Sequence, residues 1–168
     1  FFYKKINNTN DTAIKKIKQN CKAGIIITSE QKKGRGQHGK KWISQKGNLL
    51  VSIFFKINKK ISIKKLTKIN CYILKKLLDK EIKREITVKL PNDLLLNKKK
   101  ICGILQEIIF YDGNKYIIVG IGINLVKNPI IKNYQITNIL SETGINIPIL
   151  KLVKVIEKKF KNKIKQFA

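Results

Sequence analysis

Two apolar runs, Ile101 to Phe110 and Lys115 to Asn124, are joined by Tyr111-Asp112-Gly113-Asn114, and this pairing limits the fold more than any other part of the chain. An Asp-Gly pair between two strand-length runs predicts a tight hairpin turn, because the central residues of such a turn need positive φ. A hairpin of that kind points to a sheet with antiparallel pairing. Ala23 to Thr28, Asn48 to Ile57 and Ile86 to Leu90 read as further strands. Ala13, Ile14 and Ile17 recur at helical spacing behind the capping side chains of Asn8-Thr9-Asn10-Asp11, which predicts a short helix ending near Asn20. Ile63, Leu66, Ile69, Ile73, Leu74 and Leu77 mark one face of a second helix. Ser141 to Gly144 closes a short segment, and Pro148 opens a last amphipathic helix carrying Leu152, Val155, Ile156 and Phe160. Helix, strands, helix, strands and helix follow one another without regular βαβ alternation. The expected class is therefore α+β, with a mixed, largely antiparallel sheet and packed helices. No internal repeat is visible, and 168 residues suit a single domain over 1–168.

Charge is the most conspicuous compositional feature, with 37 Lys+Arg against 10 Asp+Glu and a formal net charge of +27. Clustered cations that neutralise phosphates would favour a nucleic-acid binder. Only Arg35 and Arg84 are arginines, however, and the lysines are spread from Lys4 to Lys165 over nearly every segment. Arginine is the usual bidentate reader of phosphate and guanine, so its scarcity argues against specific nucleic-acid recognition. Heavy use of Lys, Asn and Ile is what an AT-rich coding sequence produces, and the lysine coat reads as a solvated surface. Cys21, Cys71 and Cys102 are odd in number and contain no C-x-x-C pair, so neither a disulfide framework nor a zinc site is expected, and a reducing cytoplasm fits. No apolar run approaches the ~20 residues of a membrane span.

Residues 30 to 47 are polar, glycine-rich and hold one tryptophan, which predicts a long functional loop. Within it, Gly34-Arg35-Gly36-Gln37-His38-Gly39-Lys40-Lys41 matches two phosphate-binding patterns, and both fail on context. The dinucleotide reading needs a helix opening inside the motif and an acid about 20 residues on. No acid lies between Glu30 and Asp79, and the residues after the motif lack helical periodicity. The P-loop reading needs a hydroxyl after Gly-Lys, where Lys41 stands. The more general reading is a loop whose glycines bring backbone N–H groups close to an anion and whose Arg35 forks onto a carboxylate or phosphate. The alternative is a solvated basic loop. His38 has no partner at metal-ligand spacing, and Trp42 reads as an anchor for the far end of the loop.

Three separated segments together resemble the catalytic domain of the biotin protein ligases. Gln31-Lys32-Lys33-Gly34-Arg35-Gly36-Gln37-His38-Gly39-Lys40-Lys41-Trp42, followed by Ser44 and Gly47-Asn48-Leu49, resembles the family's Q-x-x-G-R-G-R-x-G-R-x-W loop. Lys89-Leu90-Pro91-Asn92-Asp93, with Lys100-Ile101-Cys102-Gly103-Ile104-Leu105 and Glu107, resembles K-W-P-N-D and its downstream K-x-x-G-I-L-x-E. Gly120-Ile121-Gly122-Ile123-Asn124 resembles G-x-G-I-N. Order and spacing also agree, so the likeness runs from about Asn7 to Gly144. It implies the biotin/lipoate ligase catalytic fold, similar to that of class II synthetases, and a two-step reaction. Biotin and MgATP would give biotinyl-5′-AMP and pyrophosphate, and a lysine of a biotin carboxyl carrier domain, as in acetyl-CoA carboxylase, would then take the biotin.

The same resemblance implies roles for particular residues. Arg35 and Lys100 match the cations that meet the charge developing on phosphate, with Lys89 a third. Asn8, Thr9 and Asn10 lie where the family carries Ser-Thr-Asn, and with Gln31, Arg35, Gly36, Gln37, Lys100 and Gly103 they are candidates for biotin contacts. A cap of the first helix is the other role open to Thr9. Asn92 and Asn124 match nucleotide contacts, beside Arg35, Gln37 and Lys89. Asp93 would orient Lys100, help hold Mg²⁺ or assist deprotonation of the incoming lysine. Departures from the pattern are Gln37 in place of a second Arg, Asn8 in place of Ser, and Leu90 in place of Trp, read as a substitution within the core. The family's adenine-stacking Trp has no counterpart after Asn124, Tyr134 being out of register. No winged-helix DNA-binding segment is expected before Asn7, and no complete C-terminal β domain after the last helix. Two other functions remain open: a lipoate or octanoate ligase of the same fold, and a non-enzymatic nucleic-acid-binding domain.

Overall fold

The computed structural model describes residues 1–57, 62–132 and 134–167. Its centre is the anticipated hairpin, β6 (Lys99–Tyr111) paired antiparallel with β7 (Asn114–Ile123). Asp112 (φ 47°) and Gly113 (φ 66°) both lie at positive φ in the turn, the conformation that matches the right-handed twist of the flanking strands.

Seven strands form one sheet in the order β1-β2-β3-β7-β6-β5-β4. β2 (Ala23–Thr28) and β3 (Leu49–Lys56) follow the expected apolar runs, and β4 (Thr87–Lys89) is shorter than its run. Two strands lie outside the sequence reading. β1 (Phe2–Tyr3) is two residues that pair parallel with β2, and β5 (Asp93–Leu96) is four residues between two antiparallel neighbours. Both are too short to show a period of their own, and tertiary pairing recruits them. The remaining ladders are antiparallel, so the sheet is mixed and largely antiparallel as expected.

Helices α2 (Ile63–Ile82) and α4 (Ile149–Phe167) cover one face of this sheet. Alternate residues of β3 (Leu49, Val51, Ile53, Phe55) and of β7 (Ile117, Val119, Ile121, Ile123) point into that layer, as period-2 side-chain alternation requires. Helix α1 (Thr9–Lys18) packs Ala13 and Ile17 on the opposite face, over Ile26, Phe54, Tyr116 and Ile118. The short α3 (Ile139–Thr143) is capped by Asn138, whose side chain accepts from the Ser141 N–H, and ends at Gly144 in the left-handed region. Among the described residues no helix is long and apolar enough to cross a membrane.

Candidate active site

The face of the sheet under α1 changes character along β7. Tyr116 and Ile118 are apolar and lie beneath the helix, but the next two residues on that face, Gly120 and Gly122, have no side chains. Gly122 pairs with Gly103 of β6, and Gly120 with Ser52 of β3. Removing side chains from neighbouring strands hollows the sheet, and a cavity of about 630 Å³ stands over this floor. Its walls are the 31–43 loop, the Pro91–Asp93 turn and the segment from Pro129 to Ile136.

Trp42 roofs the glycines. A Cβ at Gly122 would collide with the indole, and one at Gly103 would come within 2.8 Å of it. The anchor role is therefore met, and Trp42 lines the cavity as well. The loop that carries it is braced internally: Gly36 N–H donates to Lys40 O at 2.7 Å, Trp42 N–H to Gly34 O at 3.0 Å, and Arg35 bridges Lys41. The N–H of Gly36 is thus taken within the loop, contrary to the reading that offered it to an anion.

At one end of the cavity lies a cluster of amides and hydroxyls. Gln31 Oε1 accepts from Thr9 N–H at 2.8 Å and from the Thr9 hydroxyl at 3.2 Å. Ser52 Oγ lies 2.6 Å from Thr9 Oγ1 and 2.5 Å from Asn10 Oδ1, and Asn10 Nδ2 donates to Glu107 Oε2 at 2.6 Å. Glu107 in turn pairs with Arg35 Nη2 at 3.1 Å, which also meets Asp11 Oδ1 at 2.7 Å. The structure therefore gives Arg35 two carboxylates of the protein as partners. Asn8 is the helix cap, its Oδ1 accepting from Asp11 N–H at 2.7 Å. The cap role open to Thr9 thus falls one residue earlier, because Asn8 has the extended backbone a cap needs.

Lys100 and Asp93 sit deeper along the cavity. Lys100 Nζ is 2.8 Å from Asp93 Oδ1, with both side chains mostly buried, and Tyr134 donates its hydroxyl to Asp93 Oδ2 at 2.8 Å. Lys100 Nζ also lies 5.7 Å from the Trp42 ring centre and 5.6 Å from that of Tyr134. An ammonium between two aromatic faces gains from both ring quadrupoles. Partial burial, with Asp93 alongside, pushes the Tyr134 hydroxyl up to about 12, so it stays a proton donor at neutral pH. Burial raises Cys71 to about 12 and Cys102 upward as well, which favours the neutral thiol at both.

Asn92, Asn124, Gly36, Gln37 and Gly103 line the cavity with Asn8, Thr9, Asn10, Gln31, Arg35, Asp93 and Lys100. Asn124 is almost wholly buried and donates to Thr137 O at 3.1 Å, so it ties down the covering segment as much as it faces a ligand. Lys89 lies outside the cavity lining. It stands at the rim, exposed, with its Nζ 5.3 Å from the Tyr134 ring centre. Leu90 corrects the sequence reading: it is 53% exposed, not a core residue, because β4 is an edge strand that ends one residue earlier. Ser52, Asp11 and Tyr134 were not anticipated. Ser52 carried a signal, as the one hydroxyl in the otherwise apolar run Leu49 to Phe55. Tyr134 carried none, since only tertiary folding brings it to Asp93.

Among the described residues no group of three or more His, Cys, Asp or Glu side chains forms a metal site. Asp93 is the one acid among the described lining residues, and it already holds Lys100 and Tyr134. Such a set suits a magnesium ion that arrives with nucleotide phosphates better than one resident in the protein.

Comparison with known proteins bears on this geometry. Residues 2–124 match the model of the biotin/lipoate A/B protein ligase family. The bifunctional ligase/repressor BirA of Escherichia coli is 32% identical over 149 residues, 84% of this chain and 46% of that protein. The chain therefore spans just under half the length of that relative. Biotin protein ligase from Aquifex aeolicus, solved with biotin and ATP, superposes with a TM-score of 0.83 at 25% identity, covering 99% of this chain and 70% of that one. The Leishmania major enzyme, solved with biotinyl-5-AMP, gives 0.84 at 24% identity, covering 99% and 75%, a likeness of fold.

Proposed function

The chain belongs to the biotin/lipoate A/B protein ligase family, and from that premise we propose that it activates biotin with ATP and passes it to a lysine of a biotin carboxyl carrier domain. One observation carries the reading: a single cavity holds an amide and hydroxyl cluster at one end and the Lys100–Asp93 pair further along. A ureido ring needs donors and acceptors in fixed positions between apolar walls, and Thr9, Asn10 and Gln31 offer them beside Trp42, with buried Ser52 bracing Thr9 and Asn10 from behind. In the first step a carboxylate oxygen of biotin attacks the α-phosphorus of ATP, and the Pα–O bond to pyrophosphate breaks. Two anions must meet, so cations aimed at the reacting oxygens lower the barrier most. We assign this to Lys100, whose ammonium is held 2.8 Å from Asp93 Oδ1. Arg35 joins it when the arriving anion displaces part of its hold on Asp11 and Glu107. Magnesium would come with the triphosphate, as part of the substrate.

In the second step the acceptor amine attacks the acyl carbon and AMP leaves, with the ammonium proton going to Asp93 or water. The 31–43 loop, pinned by Trp42 on the glycine floor, would keep water from the anhydride. The test is labelling of an apo carrier domain with biotin and ATP. Labelling that needs both substrates and vanishes in Lys100→Ala supports the reading. A protein that binds lipoate but not biotin in calorimetric titration would defeat it.

A further inference from the structure

Each wall at the mouth of the cavity presents an exposed aliphatic side chain next to lysine. The 31–43 loop ends in Ile43, 46% exposed, after Lys40 and Lys41. The turn after β4 presents Leu90, 53% exposed, beside Lys89. The covering segment presents Ile130, 99% exposed, two residues before exposed Lys132. These walls meet at one rim, since Ile43, Pro91 and Ile131 line the same cavity and Lys89 Nζ lies 5.3 Å from the Tyr134 ring centre. A ligand held in the cavity has no use for an isoleucine that is 99% exposed. Three such residues around one opening are the mark of a surface that something covers.

Charge selects the occupant. Asp93 is the one acid among the described lining residues, and Lys100 neutralises it, so the mouth is a cationic ring with Lys40, Lys41 and Lys132 on it. A second copy of this chain would set lysines against lysines at a net charge of +27 on each side. A nucleic acid would make no use of the aliphatic residues, and Arg35, the one arginine lining the cavity, is held by Asp11 and Glu107. We infer that Ile43, Leu90 and Ile130, with the lysines between them, form a docking collar for an acidic protein domain that presents its acceptor lysine to the cavity. This inference rests on the proposed function and adds to it the surface that recognises the partner. A few side chains that become fully desolvated supply most of an interface's affinity, and the cationic rim supplies the rate of encounter.

The test separates activation from transfer, with the apo biotin carboxyl carrier domain of acetyl-CoA carboxylase as probe. Adenylate formation is read as pyrophosphate release from biotin and MgATP, and the adenylate is trapped with hydroxylamine as a small acceptor that needs no docking. Ile130→Asp with Leu90→Ser should leave both of these readings unchanged while KM for the carrier rises by about tenfold or more. Lys132→Glu should lower kcat/KM for the carrier and flatten its dependence on salt. Normal hydroxamate formation with an unchanged carrier KM in these variants would overturn the collar and leave the proposed function standing. An RNA oligonucleotide that blocks transfer in the wild type but not in Lys132→Glu would reassign the surface to nucleic acid and overturn it too. Absence of pyrophosphate release in the wild type would defeat the proposed function itself, and the collar with it.

Discussion

Gln37 opens the one-turn 3-10 helix of the glycine loop and lines the cavity, at the position where the resembled Q-x-x-G-R-G-R-x-G-R-x-W motif has its second arginine. An amide there forgoes a charge-assisted contact with an adenylate phosphate, about 1.5–3 kcal/mol. Gln37→Arg should therefore slow dissociation of biotinyl-AMP by about tenfold or more. Stopped-flow release rates decide it, and equal rates in the two proteins would dismiss the idea. Gly122 makes a second prediction. Its Cβ position is occupied by the Trp42 indole, so Gly122→Ala must push the ring off the sheet at a cost of about 1–3 kcal/mol. Trp42 is the chain's single tryptophan, and its emission should shift to the red as biotin affinity falls. An unchanged spectrum with intact affinity would show that the indole is not seated on this floor.

The element scale shows why Lys100 is held where it is. Lys100 N–H donates to Gln135 O and Thr137 N–H donates to Lys100 O, both at 2.9 Å, which pairs β6 with the covering segment. Glu142 of α3 fastens that junction. It accepts from Asn97 Nδ2 at 2.6 Å, from the Thr137 hydroxyl at 2.8 Å and from Lys99 Nζ at 3.1 Å. The bond from Asn97, followed by those from Thr137 and Lys99, holds the Glu142 carboxyl below the usual carboxylate range. A depressed folded-state value contributes stability that is present above the ordinary carboxylate range and lost as pH falls through the folded value. The stability difference between wild type and Glu142→Gln, measured by urea denaturation, should thus be largest near neutral pH and shrink on acidification. Adenylate formation should slow in the variant while biotin affinity holds, because the amide cluster lies on other elements. A difference independent of pH would remove Glu142 from this role.

For the whole molecule, an excess of 27 positive charges over the negative ones works against compaction. Among the described residues the ion pairs use only a minority of the cations, and several hold a well-exposed lysine, such as Lys161 with Glu157 and Lys151 with Glu81. Salt weakens those pairs, but it screens the far more numerous repulsions as well. Raising NaCl from low to near-physiological concentration should therefore raise Tm, as calorimetry would register. A Tm that falls with salt would mean that the surface pairs outweigh the lysine repulsion.

The fold class and the central hairpin were legible in the chain because period, apolar runs and an Asp-Gly turn are local properties. The extents of α1, β2 and β3 and the starts of α2 and α4 follow for the same reason, whereas α2 and α4 run on to Ile82 and Phe167, past the last apolar positions that mark their faces. Most of the cavity was legible too, since Asn8, Thr9, Asn10, Gln31, Arg35, Asp93 and Lys100 stand in spaced motifs. What each side chain does there was decided by tertiary structure. Arg35 answers to Asp11 and Glu107, 24 and 72 residues away in the chain, and Leu90 lies in the open because its strand is at the edge of the sheet. β5 and the contact of Tyr134 with Asp93 were not legible: four residues show no period, and a tyrosine near the stacking position but out of register does not announce a carboxylate 41 residues earlier. Local sequence sets which conformations are cheap, whereas a contact between distant residues exists only once the sheet has brought them together.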